Sequence, residues 1–133
     1  MSDFNSQVID KYRANEGKLG DPFPFPVLLL HTVGARSGEP RINPVAYLPD
    51  GERLLVFASY GGADKSPAWY YNLIAKPTAT VEVGTETFDV TVSELKGEER
   101  DRFYKIQADQ YENFAEYERK TSRVIPVVAL TRV

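Results

Sequence analysis

At 133 residues the chain is the size of one domain, long enough to bury a core without help from metals or disulfides. It has no cysteine, a single histidine and a formal net charge of −3, which removes thiol chemistry, thiolate centres, clustered-histidine metal sites and a basic nucleic-acid surface from consideration. The longest apolar run is far too short to span a bilayer and no charged-then-apolar leader opens the chain, so a soluble, cytoplasmic protein with no metal is expected.

In chain order, Val8 to Tyr12 reads as a short amphipathic helix. The run Asp21-Pro22-Phe23-Pro24-Phe25-Pro26 cannot be helix interior or central strand, because proline removes donors and restricts its neighbours. It reads as an extended lead-in. Strands follow at Val27–Val33, Ile42–Leu48 and Leu54–Ser59, the last two joined by the turn signal Pro49-Asp50-Gly51. Ser66-Pro67 has the form of a helix start, a hydroxyl cap before a proline at the first helical position. That helix should run to about Ala75 and stop at Lys76-Pro77.

Thr78–Val83 and Thr87–Leu95 alternate apolar and polar residues around Gly84, as in a hairpin. Phe103, Tyr104, Gln107, Ala108 and Tyr111 recur with the spacing of a helix over Glu98 to Tyr111 with one buried face. A short helical or irregular segment reaches Thr121. Val124–Leu130 is the final strand, and Pro126 places it at an edge or a bulge. The expected fold is α+β: a six-stranded, mainly antiparallel barrel with two or three flanking helices. Residues 1–133 form one domain, with 1–26 as an N-terminal extension.

Two loops ask for another explanation than packing. Gly34-Ala35-Arg36-Ser37-Gly38-Glu39-Pro40-Arg41 lies between two strands and presents two guanidiniums beside two glycines. Gly61-Gly62-Ala63-Asp64-Lys65-Ser66-Pro67-Ala68-Trp69-Tyr70 turns a strand into an aromatic-rich helix. Free backbone N–H groups beside fixed cations are how proteins hold phosphates and carboxylates. Together the loops suggest a site for a long, anionic, aromatic ligand. With so little catalytic equipment of its own, an enzyme of this composition would rely on a cofactor for its chemistry.

Each feature also has a plainer reading. Arg36 and Arg41 suit solvated turns, Gly61-Gly62 suits turn punctuation, and Lys65 beside Asp64 suits an exposed ion pair. Trp69, Tyr70 and Tyr71 cannot all face one ligand, since successive helical residues point about 100° apart. Trp69 is expected near the site, and Tyr70 or Tyr71 in packing. His31 reads as a hydrogen-bonded barrel residue, although Thr32 beside it adjoins the first loop. Tyr111 and Tyr117 suit either a helix core face or the site.

The run from Thr32 to Pro44, and the run Ala58-Ser59-Tyr60-Gly61-Gly62-Ala63-Asp64-Lys65-Ser66-Pro67-Ala68-Trp69-Tyr70-Tyr71-Asn72-Leu73, resemble the signature loops of the deazaflavin-dependent nitroreductases, actinobacterial proteins that use coenzyme F420. The likeness continues through Lys76-Pro77, the charged helix start at Glu98 and Arg123-Val124-Ile125-Pro126-Val127. It implies a split β-barrel like that of FMN-binding proteins, and hydride transfer from reduced coenzyme F420 to a quinone or nitroaromatic acceptor. Arg36 and Arg41 would pair the coenzyme's phosphate and glutamate carboxylates, with His31, Thr32, Gly34, Ser37, Gly38 and Pro40 completing the cradle. Pro44, Val45, Ser59, Tyr60 and Gly61 would line the ring, and Lys65, Pro67 and Trp69 would close its other side.

Ser59, Tyr111 and Tyr117 would be the catalytic hydroxyls, with Phe114 and Tyr117 toward the acceptor. Two departures stand out. Ala35 replaces the first of two adjacent basic residues, and Phe114 replaces the middle of three tyrosines, which favours quinones over nitro compounds. The resemblance leaves a monomer or weak homo-oligomer, and a quinone acceptor would draw the protein to a membrane surface without an anchor of its own. A deazaflavin carrier without turnover and an FMN-dependent barrel oxidoreductase are the alternatives.

Overall fold

The apolar run beginning at Val27 becomes a deeply buried strand of a closed six-stranded barrel. The structure is a computed structural model that describes residues 3–19, 23 and 25–133, so Asp21, Pro22 and Pro24 of the expected lead-in lie outside the described residues. The elements are α1 (Asp3–Ala14), β1 (Val27–Val33), β2 (Pro40–Asp50), β3 (Arg53–Phe57), α2 (Ala68–Ala75), β4 (Thr78–Val83), β5 (Glu86–Leu95), α3 (Gly97–Gln110), α4 (Glu112–Lys120) and β6 (Val127–Arg132). Round the barrel the order is β1-β2-β3-β6-β5-β4, and every pairing is antiparallel. β1 closes on β4 through Leu29↔Glu82, Leu30↔Val81 and His31↔Thr80.

Two tight hairpins set the register. Asp50 faces Arg53 across Gly51-Glu52, and Val83 faces Glu86 across Gly84-Thr85. In both loops the first residue is a glycine at positive φ (57° and 61°), a conformation that a Cβ disfavours. Inside the barrel Leu28, Leu30, Val56, Val81, Val90, Val128 and Leu130 interdigitate, and Trp69 and Leu73 of α2 join them. On the outer face Leu55, Phe57, Val127 and Ala129 are covered by Phe103 and Tyr104 of α3 and Phe114 of α4. α1 lays Val8, Ile9 and Tyr12 over Leu29.

Four differences from the sequence reading have local causes. Four helices stand where two or three were expected, because the segment before Thr121 forms α4, with Phe114 as its buried residue. α1 spans more than Val8–Tyr12, and side chains on the barrel hold it down. Tyr12 donates its hydroxyl to Glu82 O (3.2 Å) and accepts from Gly84 N–H (2.9 Å), while Arg13 grips the Glu82 carboxylate twice (3.0 and 2.7 Å). β6 runs between β3 and β5 and not at an edge. Pro126 lies just before it, contributing only a carbonyl that accepts Ala58 N–H (3.0 Å). Ser66 does not cap α2, whose N-cap is Pro67.

Two predictions follow from the packing of α1. Gly17 has φ +88°, and a Cβ there would come within 2.7 Å of Gly84 Cα, so Gly17→Ala should cost about 1–3 kcal/mol in urea unfolding. The Arg13 guanidinium holds the Glu82 carboxyl below its usual 4.5, with His31 as a further partner. A depressed carboxyl stabilises above its unfolded value, and that stabilisation disappears as pH falls through the folded one. Wild type should therefore lose Tm more steeply than Glu82→Gln below about pH 5. Parallel slopes in thermal melts would contradict this.

Candidate functional site

The first loop folds back on itself. Gly34 N–H donates to Glu39 O (2.8 Å), Gly38 N–H to Gly34 O (3.0 Å) and Glu39 N–H to Ser37 Oγ (3.2 Å). A Cβ on Gly34 would sit 2.5 Å from Ser37 Oγ, so a larger residue there would have to turn that hydroxyl away from Glu39 N–H. Asn72 of α2, buried at 7% exposure, locks the loop in place. Its amide oxygen accepts Ala35 N–H (2.9 Å) and its amide nitrogen donates to Thr32 Oγ1 (3.1 Å). The turn that results leaves no partner for the Arg36 and Ser37 N–H groups among the described residues.

Against α2 this loop forms a cleft of about 780 Å³ whose lining includes Gly34, Ser37, Tyr71 and Asn72 and the side chains of Arg36, Arg41 and Lys65. Among the described residues, three cations and no carboxylate line it. Arg41 has one exposed contact with Glu39 (3.3 Å), a pair that water screens and that an incoming anion exchanges readily. The cleft is built to take negative charge.

The second loop begins with three left-handed residues, Tyr60 (φ 48°), Gly61 (φ 64°) and Gly62 (φ 85°), after a right-handed Ser59. Consecutive residues of this kind turn successive N–H groups to one side. Arg123 holds the loop from behind. Its guanidinium donates to Ala63 O (2.8 Å), Ser59 O (3.0 Å), Ala58 O (3.1 Å) and Ser66 Oγ (3.2 Å), which explains why the Ser66 hydroxyl does not cap the helix.

A second cleft, of about 220 Å³, opens beside Ser59, Tyr60 and Gly61. Pro44 and Val45 of β2, Pro67, Trp69, Phe23, Phe25, Phe114 and Tyr117 complete most of its wall, and among the described residues no charged side chain lines it. The rings of Phe25, Phe57 and Tyr117 all meet Phe114 edge to face, at 5.5, 5.6 and 5.3 Å between centroids. The two clefts are neighbours along the chain twice over. Lys65 and Ala68 line one while Pro67 and Trp69 line the other, and Arg41 and Pro44 are three strand residues apart, about 10 Å.

Not every residue singled out in the sequence reaches these clefts. His31 points away: strand neighbours face opposite sides of a sheet, so while Thr32 turns to Asn72, His31 pairs with Glu82 (2.6 Å) beneath α1. His31, Thr32 and Pro40 border a separate groove on the far side of the first loop, and Gly38 lies at the exposed tip of that loop. Tyr111 does not line the aromatic cleft. It packs edge to face on Phe25 at 5.7 Å. Tyr70 is the packing residue of its pair, donating to Glu94 (2.7 Å) with burial and that carboxylate pushing its phenol up to about 12, whereas Tyr71 is exposed on the cationic cleft.

The reading of the sequence missed Asn72 and Arg123 as site-building residues, whereas Phe23 and Phe25 were open to covering the site or packing on the barrel, and they line the aromatic cleft. Phe23 and Phe25 carried a signal, as aromatics fixed between prolines just before a strand. Asn72 and Arg123 stood within the matched runs, but nothing local pointed to their partners, which lie 37 to 65 residues away.

The sequence model of the F420H(2)-dependent quinone reductase family matches residues 5–132. A curated F420H(2)-dependent quinone reductase of Mycobacterium tuberculosis, Rv1261c, is 40% identical over 126 residues, 91% of this chain and 85% of that protein. A solved F420-H2 dependent reductase (FDR-A) superposes with a TM-score of 0.71 at 40% identity, covering 79% of this chain and 93% of its own. A structure described as a domain-swapped dimer gives 0.72 at 34% identity, covering 94% and 96%.

If Asn72 is the lock of the first loop, Asn72→Ala should destabilise the fold by about 1–3 kcal/mol, because Thr32 Oγ1 and Ala35 N–H lose their partner. Limited proteolysis should then cut residues 34–39 faster than in wild type. Equal cutting rates would show that the loop holds itself.

Proposed function

Because the chain belongs to the F420H(2)-dependent quinone reductase family, we propose that the cationic cleft holds the charged end of reduced coenzyme F420 and the aromatic cleft holds its ring against a quinone. When bound, the reduced deazaflavin supplies the hydride. The observation that carries the reading is the join between the clefts: three cations, of which only Arg41 has an exposed ion pair, give way, within three residues of β2 and across the start of α2, to a wall with no charge among the described residues. A ligand with anionic groups at one end and a flat conjugated ring at the other matches that change of lining.

The chain's own residues then have distinct tasks. Arg36, Arg41 and Lys65 pair phosphate and carboxylate oxygens, and the Ser37 hydroxyl and the N–H groups of Arg36 and Ser37 supply further donors. Pro44, Val45, Ser59, Tyr60, Gly61, Pro67 and Trp69 orient the ring. Phe23, Phe25 and Phe114 keep water from the acceptor face. A quinone that receives a hydride needs a proton to become the hydroquinone, and Ser59 and Tyr117 place hydroxyls on that wall.

Turnover is favoured over mere carriage because the family is one of reductases. Nitroaromatic reduction takes second place, since Phe114 brings no hydroxyl to the cleft. Both clefts are lined within one chain, which supports a monomer or weak homo-oligomer. Among the described residues no helix is long and apolar enough to cross a membrane. We infer a cytoplasmic protein that meets membrane quinones only at the surface.

Purified protein should oxidise reduced coenzyme F420 with menadione over many turnovers. Arg41→Ala should weaken coenzyme binding by about 1.5–3 kcal/mol, read by fluorescence titration. Unchanged affinity in that variant would remove the cationic cleft from the site.

A further inference from the structure

We propose that Arg123 is a positioning residue for quinone reduction, holding the two walls of the aromatic cleft at one fixed separation. The proposal rests on the reading of that cleft as the place where ring and acceptor meet. One wall is the Ser59–Gly61 stretch of the second loop, and the other is α4 with Phe114 and Tyr117. These elements are separated by more than fifty residues in sequence, and the segment just after α4 binds them together.

The binding is dense and almost entirely polar. All three guanidinium nitrogens of Arg123 donate, to Ala58 O, Ser59 O, Ala63 O and Ser66 Oγ, at 2.8 to 3.2 Å. Thr121 adds a bond from its hydroxyl to Asp64 Oδ1 (2.9 Å), and Arg123 N–H returns to Thr121 Oγ1 (3.3 Å). Gly62 lies against α4 so closely that a Cβ would meet Tyr117 O and Lys120 Cβ at 3.0 Å. Loop and helix therefore move as one body.

The clamp also has a conformational reason. Tyr60 is a non-glycine residue at φ 48°, a conformation that persists only where its surroundings enforce it. Arg123 grips the carbonyls of the two residues before it and of a residue three after it, which fixes the chain on both sides of the strained residue. All four acceptors are uncharged, and Arg123 makes no ion pair among the described residues. A planar fork with donors on three nitrogens is required. A lysine, with one nitrogen, cannot reach four acceptors spread over Ala58–Ser66.

Because Asn72, and not Arg123, anchors the first loop, loss of the clamp should misplace the reacting partners more than it weakens the coenzyme's hold. Arg123→Lys and Arg123→Met should lower kcat with menadione about 10–100-fold, while the dissociation constant for coenzyme F420 changes less than about threefold. In Arg123→Ala, added guanidinium at millimolar concentration should restore about tenfold or more of the lost kcat, an effect that wild type and Arg123→Met lack. Hydrogen exchange reads the clamp without any turnover. In Arg123→Lys, amides of residues 58–66 should exchange about tenfold faster, with those of β4 and β5 unchanged. Wild-type turnover in the same assay tests the family reaction itself. The proposal is overturned by a folded Arg123→Lys whose residues 58–66 exchange at the wild-type rate, or by kcat within about threefold of wild type.

Discussion

Three residue pairs between β1 and β4 close the sheet, and most of the architecture follows from that closure. A sheet without free edges has no strand left to offer a partner, so recognition passes to the loops at its rim. Closure turns Leu28, Leu30, Val81 and Val90 inward, where α2 seals one end with Trp69 and Leu73. It also brings Glu82 beside His31 and under Arg13, which fastens the first helix to the barrel wall. The two loops of the site leave the barrel beside the sealed end and inherit its rigidity.

The neighbouring clefts divide two kinds of binding that conflict in one place. Cations kept in water cost little to hold ready and gain their partners only when an anion arrives. The conjugated ring proposed for the aromatic cleft would need the reverse, a dry wall without charge and away from solvent. The first turn of α2 keeps the two apart by helical geometry alone: Ala68, Tyr71 and Asn72 face the cationic side while Trp69 faces the barrel end. Ala35 fits the same picture. Its side chain adds no charge, but its N–H is the group through which Asn72 secures the loop.

What was legible in the sequence was local. The apolar run at Val27–Val33 and the alternation at Thr78–Val83 become strands with those same bounds, because period-two patterning and the glycine turns act over a few residues. The cationic loop was legible too, since Arg36, Arg41 and the glycines belong to one short stretch. Other features depended on residues far away. The Ser66 hydroxyl followed its local signal only until Arg123, 57 residues on, took it as an acceptor. Pro126 looked like an edge marker, yet it precedes a central strand. His31 adjoins the loop along the chain but stands on the opposite side of the pleat. A single sequence does not record which distant donor will meet which carbonyl.

Phe25 belongs to two packed groups at once. It touches the α1 cluster on one side and the ring of Phe114 on the other, while its surface forms part of the aromatic cleft. Shared contacts of this kind make occupancy and helix docking a single thermodynamic quantity. Whatever free energy a molecule in the cleft gains from a seated Phe25 returns, by reciprocity, as tighter attachment of the N-terminal helix. Molecules that fill the cleft differently would therefore leave the protein with different resistance to loss of α1, and residues 3–14 would report on a cleft they do not line.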